Sequence, residues 1–296
     1  MTKRFTCVAL LVALALTSSA RAESLSDYAK NHTIELFIPR RGAVMPNPYD
    51  SPGHLQLGTK ALLLSGLNLT DLDGISQLTV LDEGKPVPVT SVEHLHVYIN
   101  HNPLKSLPDE IGKLDNVEFL YCEFDQLDDL PRGLADMDRL IAMYFTGNRF
   151  KEIPAFVFDM SRLTKLQFSK NQITVVPREI GDMTELRHLS LAGNQIAKLP
   201  DSIARLVKLR VCDLSDNQLT ELPEVFGQVR IVNQLRVRNN PLRSLPAGFA
   251  EMRATIDITG TDIDLATLSP ELREHISTEK PPGSKDPNSI VVTRPE

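Results

Sequence analysis

The chain has 296 residues, with 38 acids against 32 lysines and arginines, a formal charge of −6. That mildly acidic balance argues against nucleic acid as a partner, because phosphate recognition needs a basic face. Charge of this size otherwise bears on solubility and steering, not on fold.

Residues 1–22 read as a secretory signal peptide. Lys3 and Arg4 supply a positive start, Cys7 to Leu16 is a short apolar run, and Ala20-Arg21-Ala22 is an A-x-A cleavage site. The run is shorter than the ~20 residues that span a bilayer, so a retained anchor is the weaker alternative. No stable membrane insertion is expected after cleavage. The mature protein is expected to be exported, either periplasmic or secreted.

Residues 23–60 form a lead without repeats. Thr33 to Ile38 alternates well enough to predict a strand, and Pro46, Pro48, Pro52 and Gly53 predict a loop. Residues 61–93 read as a degenerate first repeat (61–75) followed by a connector, with turn chemistry at Gly84, Pro86 and Pro88.

Over residues 94–254 a 23-residue unit recurs seven times. Leu107-Pro108, Leu130-Pro131, Ile153-Pro154, Val176-Pro177, Leu199-Pro200, Leu222-Pro223 and Leu245-Pro246 keep the spacing without an insertion. A fixed period of this length marks a solenoid whose units stack on their neighbours. Each unit fits L-x-x-L-x-L-x-x-N-x-L-x-x-L-P-x-x-I-x-x-L-x-x. Its fourth and sixth positions, such as Leu189 and Leu191, share one face of a short strand. A later apolar pair such as Ile180 and Met183 is spaced as on one helical turn. The ninth position reads Asn102, Asp125, Asn148, Asn171, Asn194, Asn217 and Asn240. A buried asparagine both donates and accepts, so a row of them ties adjacent turns together. Asp125 breaks the row, since an ionised carboxylate only accepts.

Residues 255–277 keep the phase in worn form and predict a terminal cap, with Gly260 and Ile263 where the strand leucine and the asparagine belong. Residues 278–296, polar and proline-rich, predict a disordered tail.

This pattern resembles the leucine-rich repeats, in particular the 23-residue class with an N-x-L-x-x-L-P-x-x-I signature, similar to Ras-suppressor and Shoc2-like repeats and to bacterial leucine-rich repeat proteins. The resemblance covers residues 94–276, with a weaker extension back to 61. It implies an α/β repeat solenoid: a horseshoe with a concave parallel β-sheet and short helical or 3₁₀ segments on the convex side. It also implies a protein or peptide ligand on the concave face. The cysteine-rich caps of many extracellular animal members are missing, and so is the ubiquitin-ligase domain attached to some bacterial members.

In the mature chain Cys122 and Cys212 remain. Four repeats separate them, about 19 Å at the strand spacing, beyond the ~7 Å that a disulfide bridges. Both are expected as buried, unbridged thiols.

The fifth position of the unit points outward from the sheet. It reads Tyr98, Tyr121, Tyr144, Gln167, Ser190, Asp213 and Arg236. Three successive tyrosines, with Phe119 and Phe124 beside them, predict an exposed aromatic ladder. It reads either as a partner-binding site or as a cover for the sheet or a seat for the chain's own N-terminal segment. At the other end, Arg236 and Arg238 share a face and read as a carboxylate clamp or as members of local Asp–Arg pairs.

His94, His96 and His101 cluster in the first regular unit, with His96 and His101 expected on the concave side near Tyr98 and His94 expected half-buried where leucine is usual. Spacing alone gives no converging metal site, and no cofactor is expected. No nucleophile, metalloprotease, redox or phosphate-loop motif occurs, so an enzyme is not expected. Asn31-His32-Thr33 and Asn68-Leu69-Thr70 are glycosylation sequons, of consequence only in a eukaryote. The sequence therefore predicts a non-enzymatic protein-binding module. The alternative is a structural envelope or surface component that binds glycan or cell-wall polymer.

Overall fold

The computed structural model describes residues 22–38, 59–229, 231, 233–251, 254–270, 276–277 and 291–292. The expected signal peptide up to Arg21, the proline loop around Pro46 to Gly53, and the expected tail apart from Val291 and Val292 lie outside them. The chain divides after Leu140 into two compact units. Both are built from repeating coils, each a short strand of a parallel sheet, a turn, and a 3₁₀ segment.

The first unit opens with β1 (Glu23–Ser24) and α1 (Leu25–Asn31). Ser24 caps α1 by accepting from the Asp27 N–H at 3.1 Å. The expected strand over 33–38 is instead a pair of isolated bridges, Glu35 with Leu81 and Phe37 with Ala61. The alternation still sorts the faces, since Ile34 and Leu36 are buried. Ala61 belongs to β2 (Lys60–Leu63), and Phe37 exchanges both backbone hydrogen bonds with it at 2.9 Å. That contact covers part of a strand edge that would otherwise be open to pairing.

β2, β6 (Leu95–Tyr98) and β7 (Val117–Tyr121) run parallel. Lys60 pairs with Leu95, 35 residues on, whereas His96 pairs with Phe119 at the regular 23. The extra length holds β3 (Leu69–Asp71), which pairs with β1, and a hairpin of β4 (Thr79–Asp82) and β5 (Lys85–Pro88). The hairpin corrects the expectation of a plain connector. Only Glu83 and Gly84 form the turn, both with positive φ (51° and 80°), as a tight two-residue hairpin loop requires. Pro86 and Pro88 lie in strand β5, where neither ring nitrogen can donate to a further strand.

The Leu-Pro punctuation explains the 3₁₀ segments. Proline fixes φ near −65°, and its carbonyl accepts the first turn's hydrogen bond. Ile111 N–H reaches Pro108 O at 3.0 Å, and in the second unit Ile203 N–H reaches Pro200 O at 3.0 Å.

The second unit contains β8 (Ala142–Tyr144), β9 (Lys165–Gln167), β10 (His188–Ser190), β11 (Val211–Asp213), β12 (Gln234–Arg236) and β13 (Thr255–Asp257). Strand partners are 23 residues apart from β8 to β12. The alternating leucines are buried, with Leu189 at 1% exposure and Leu191 at 0%. Phe145, Phe150 and Phe168 cluster in this core, with ring centroids 5.1–5.8 Å apart. The asparagine row behaves as its donor–acceptor chemistry requires. Asn194 Nδ2 donates to Phe168 O and Leu191 O, both at 2.9 Å, while its Oδ1 accepts from Ile173 N–H at 3.0 Å. Asn171, Asn217 and Asn240 repeat the pattern.

The last coil departs from the expected phase. Gln234 pairs with Thr255, 21 residues on, so the coil is two residues short. The asparagine position therefore falls on Thr261, not Ile263. Thr261 Oγ1 donates to Ile258 O at 2.8 Å, the bond that Asn240 makes to Val237 O. Val291 and Val292, expected in a disordered tail, form β15 instead. It pairs antiparallel with β13 and with β14 (Ile276–Ser277), which gives the β13 edge a partner.

Candidate binding face

In the first unit, β6, β7 and the turns that follow them bring together three aromatic pairs. His96 meets Phe119 with ring centroids 4.1 Å apart and a 30° tilt. Tyr98 stacks on Tyr121 at 4.2 Å and 6°. His101 stacks on Phe124 at 5.0 Å and 5°. Strands lie about 4.8 Å apart, close to the stacking distance of flat rings, so equal positions in adjacent coils meet face to face. His101 and Phe124 hold their rings from a left-handed backbone, φ 61° and 57°. Other coils of the second unit fill that turn position with Gly147 or Gly193, also at positive φ.

The tyrosines are not the exposed ladder that the sequence predicts. Tyr98 is 9% exposed, Tyr121 8% and Tyr144 4%. Stacking hides the ring faces of Tyr98 and Tyr121. In the second unit Lys165 Nζ sits 4.8 Å from the Tyr144 ring centroid, a cation–π contact. Burial, and then the neighbouring Tyr121, pushes the Tyr98 hydroxyl pKa well up, so it stays neutral. Within these three pairs the accessible rings are Phe119 and Phe124, both half-buried, and exposed His101. Phe119 also lies 6.4 Å from Tyr121, which links two of the rows.

The histidines separate by environment. His94, expected half-buried, is exposed, and its Nδ1 lies 2.7 Å from Glu118 Oε1. Its φ of 54° turns the side chain away from the core that a leucine would enter. His96 is buried, and burial followed by the nearby His94 lowers its pKa to about 4. Sequence reasoning put His96 and His101 on the sheet face near Tyr98, but not in stacks with Phe119 and Phe124. The signal was their register, one period before Phe119 and Phe124.

Arg236 and Arg238 are each paired with an acid of a neighbouring coil. Arg236 Nη1 lies 3.2 Å from Asp213 Oδ2, and Arg238 Nε lies 3.6 Å from Asp257 Oδ2. They do not stand together as an open carboxylate clamp, and the local-pairing alternative describes them. Since both guanidiniums are partly exposed, Arg236→Ala is expected to cost less than about 1 kcal/mol. Urea denaturation checks this, and a loss of several kcal/mol would show that the pair is far more desolvated than its geometry implies.

Cys122 and Cys212 form no disulfide and are fully buried, and burial raises both thiol pKa values. They behave as small core hydrophobes. Among the described residues, no group of three or more His, Cys, Asp or Glu side chains is placed to hold a metal ion. Among the same residues no helix is long and apolar enough to cross a membrane.

Residues 138–196 and 208–229 match the leucine-rich repeat family. The chain is similar to the structure of a leucine-rich repeat protein from Leptospira interrogans, with 25% identity over 71% of this chain and 58% of that one, at a TM-score of 0.51. It also shares its fold with an internalin from Listeria monocytogenes, with 23% identity over 67% of this chain and 58% of that one, at a TM-score of 0.51. The matched region thus spans less than two thirds of either relative's length. No curated protein matches the chain. Fold and matches together define a leucine-rich repeat solenoid fold. Domains of this class generally mediate protein–protein interaction and are typically non-enzymatic.

Proposed function

We propose that this is an exported, non-enzymatic leucine-rich repeat protein that binds another protein or peptide through the sheet face of its first unit. The observation that carries the reading is the set of three aromatic pairs on β6, β7 and the turns that follow them. Rigid rings, with Phe119, Phe124 and His101 at the accessible edges, supply the kind of anchor around which protein interfaces concentrate their energy. Export rests on the leader-like residues 1–22, and the 23-residue spacing supports the LPxxI subclass.

The test uses tagged chain from Glu23, wild type beside Phe119→Ala/Phe124→Ala, to capture proteins from the source organism's envelope and medium. These two side chains are half-buried, so their removal disturbs the fold less than removal of the tyrosines. A partner is expected whose affinity falls at least ~30-fold in the double variant, the loss of about 2 kcal/mol typical of a hot spot. Equal capture by both, with circular dichroism unchanged, would place the site elsewhere. Retention on purified wall polymer with no protein captured would favour the glycan-binding alternative, for which the same rings offer stacking faces.

A further inference from the structure

His96 occupies the middle of β6, with Ala61 of β2 on one side and Phe119 of β7 on the other. It is 7% exposed, its ring lies against Phe119, and its Nδ1 has no hydrogen-bond partner among the described residues. A neutral imidazole is tolerated there, but an imidazolium would be a buried charge with a donor unmet.

The surrounding charges do not answer it. On its own strand and just before it, the near titratable groups are Tyr98 and His94. From β2 comes Lys60, whose ammonium is engaged by Asp82. From β7 and its turn come Tyr121, buried Glu123, and Glu118, which is engaged by His94.

We propose that His96 is an acid-sensitive latch on this sheet face: its protonation drives the imidazole out from beside Phe119 and opens the β6–β7 ladder. The inference stands on the His96 geometry and holds whether or not the face binds a partner. The direction of the effect follows from the depressed pKa, about 4 when folded against 6.5 in an open chain. Between those values the opened form takes up a proton that the closed form refuses. The latch therefore holds at and above pH 6.5 and weakens as pH falls toward 4.

The test reads hydrogen-exchange protection of the Ile99 amide, which donates to Tyr121 O at 2.8 Å. Wild type, His96→Phe and His94→Gln are compared at pH 6.5 and 4.5. Groups common to all three cancel in the comparison. Relative to His96→Phe, wild type is expected to lose about 40-fold in protection, because the one-proton effect reaches its full slope only between the two pKa values, and His94→Gln should follow wild type. In the wild-type protein the His96 ring should titrate by NMR below pH 5. The same pH dependence in wild type and His96→Phe would overturn the proposal. So would a His96 titration midpoint near 6.5, a reading that does not depend on any variant folding.

Discussion

Gly112→Ala is expected to destabilise the first unit by about 3 kcal/mol, at the upper end of the usual cost of overpacking. A β-carbon at Gly112 would stand 2.0 Å from Gly133 O and 2.6 Å from Gly133 C. Both are backbone atoms in the next 3₁₀ turn, Arg132–Asp136, so no side chain can rotate aside. A β-carbon at Gly133 would in turn meet Asp109 O at 2.0 Å. The two turns therefore approach to a distance that only glycine allows. Gly74→Ala is the control. Its φ is +84°, yet nothing lies within 4 Å of the added carbon. Only left-handed strain remains there, about 1 kcal/mol. Urea midpoints of both variants check the difference. Equal losses would show that the turns can move apart and that the close approach is not decisive.

Asp125→Asn is expected to stabilise the protein by about 1–3 kcal/mol at pH 8 and above, and by little near pH 4. Asp125 is 7% exposed, and its Oδ1 accepts from the Asn102 N–H at 2.6 Å. Its Oδ2 has no partner among the described residues. In the regular coils an asparagine amide at this position donates to two carbonyls, as Asn194 does. The amide introduced by the substitution would reach for the equivalent carbonyls, those of Cys122 and Ile99. A carboxylate there would instead turn negative charge toward carbonyl oxygens. Burial raises its pKa to about 8; the Asn102 N–H opposes this and Glu123 adds to it. The folded form thus keeps a proton that the unfolded chain releases above the ordinary aspartate value of 3.8. Stability from this group is fully present below pH 4 and is lost as pH rises toward 8. The asparagine variant removes that slope. Denaturation of both proteins across pH 4–9 checks it, and parallel curves would refute the assignment.

Much of the fold was legible because the period was. The Leu-Pro spacing located the coils, and the alternation of Leu189 and Leu191 assigned the buried face. The asparagine row announced the bonds that Asn194 makes. Cys122 and Cys212 were readable as buried thiols because they stand at core positions of the unit. Departures from the period were less legible. The hairpin of β4 and β5 was hidden because Pro86 and Pro88 read as turn residues, although they lie in a strand. The last coil was misphased by two residues because Thr261 reproduces an asparagine bond without resembling asparagine.

The candidate site shows the same division. Period and residue type determined that Tyr98, Tyr121, Phe119 and Phe124 share one sheet face, since positions one period apart must meet across adjacent strands. Tertiary structure decided how deeply each ring is buried, that His96 and His101 complete the rows, and that Arg236 and Arg238 are engaged by Asp213 and Asp257. The physical reason is that a repeat fixes the direction in which a side chain leaves the backbone. Exposure, ionisation and pairing depend on everything that packs around that side chain, and those neighbours include groups that follow no period.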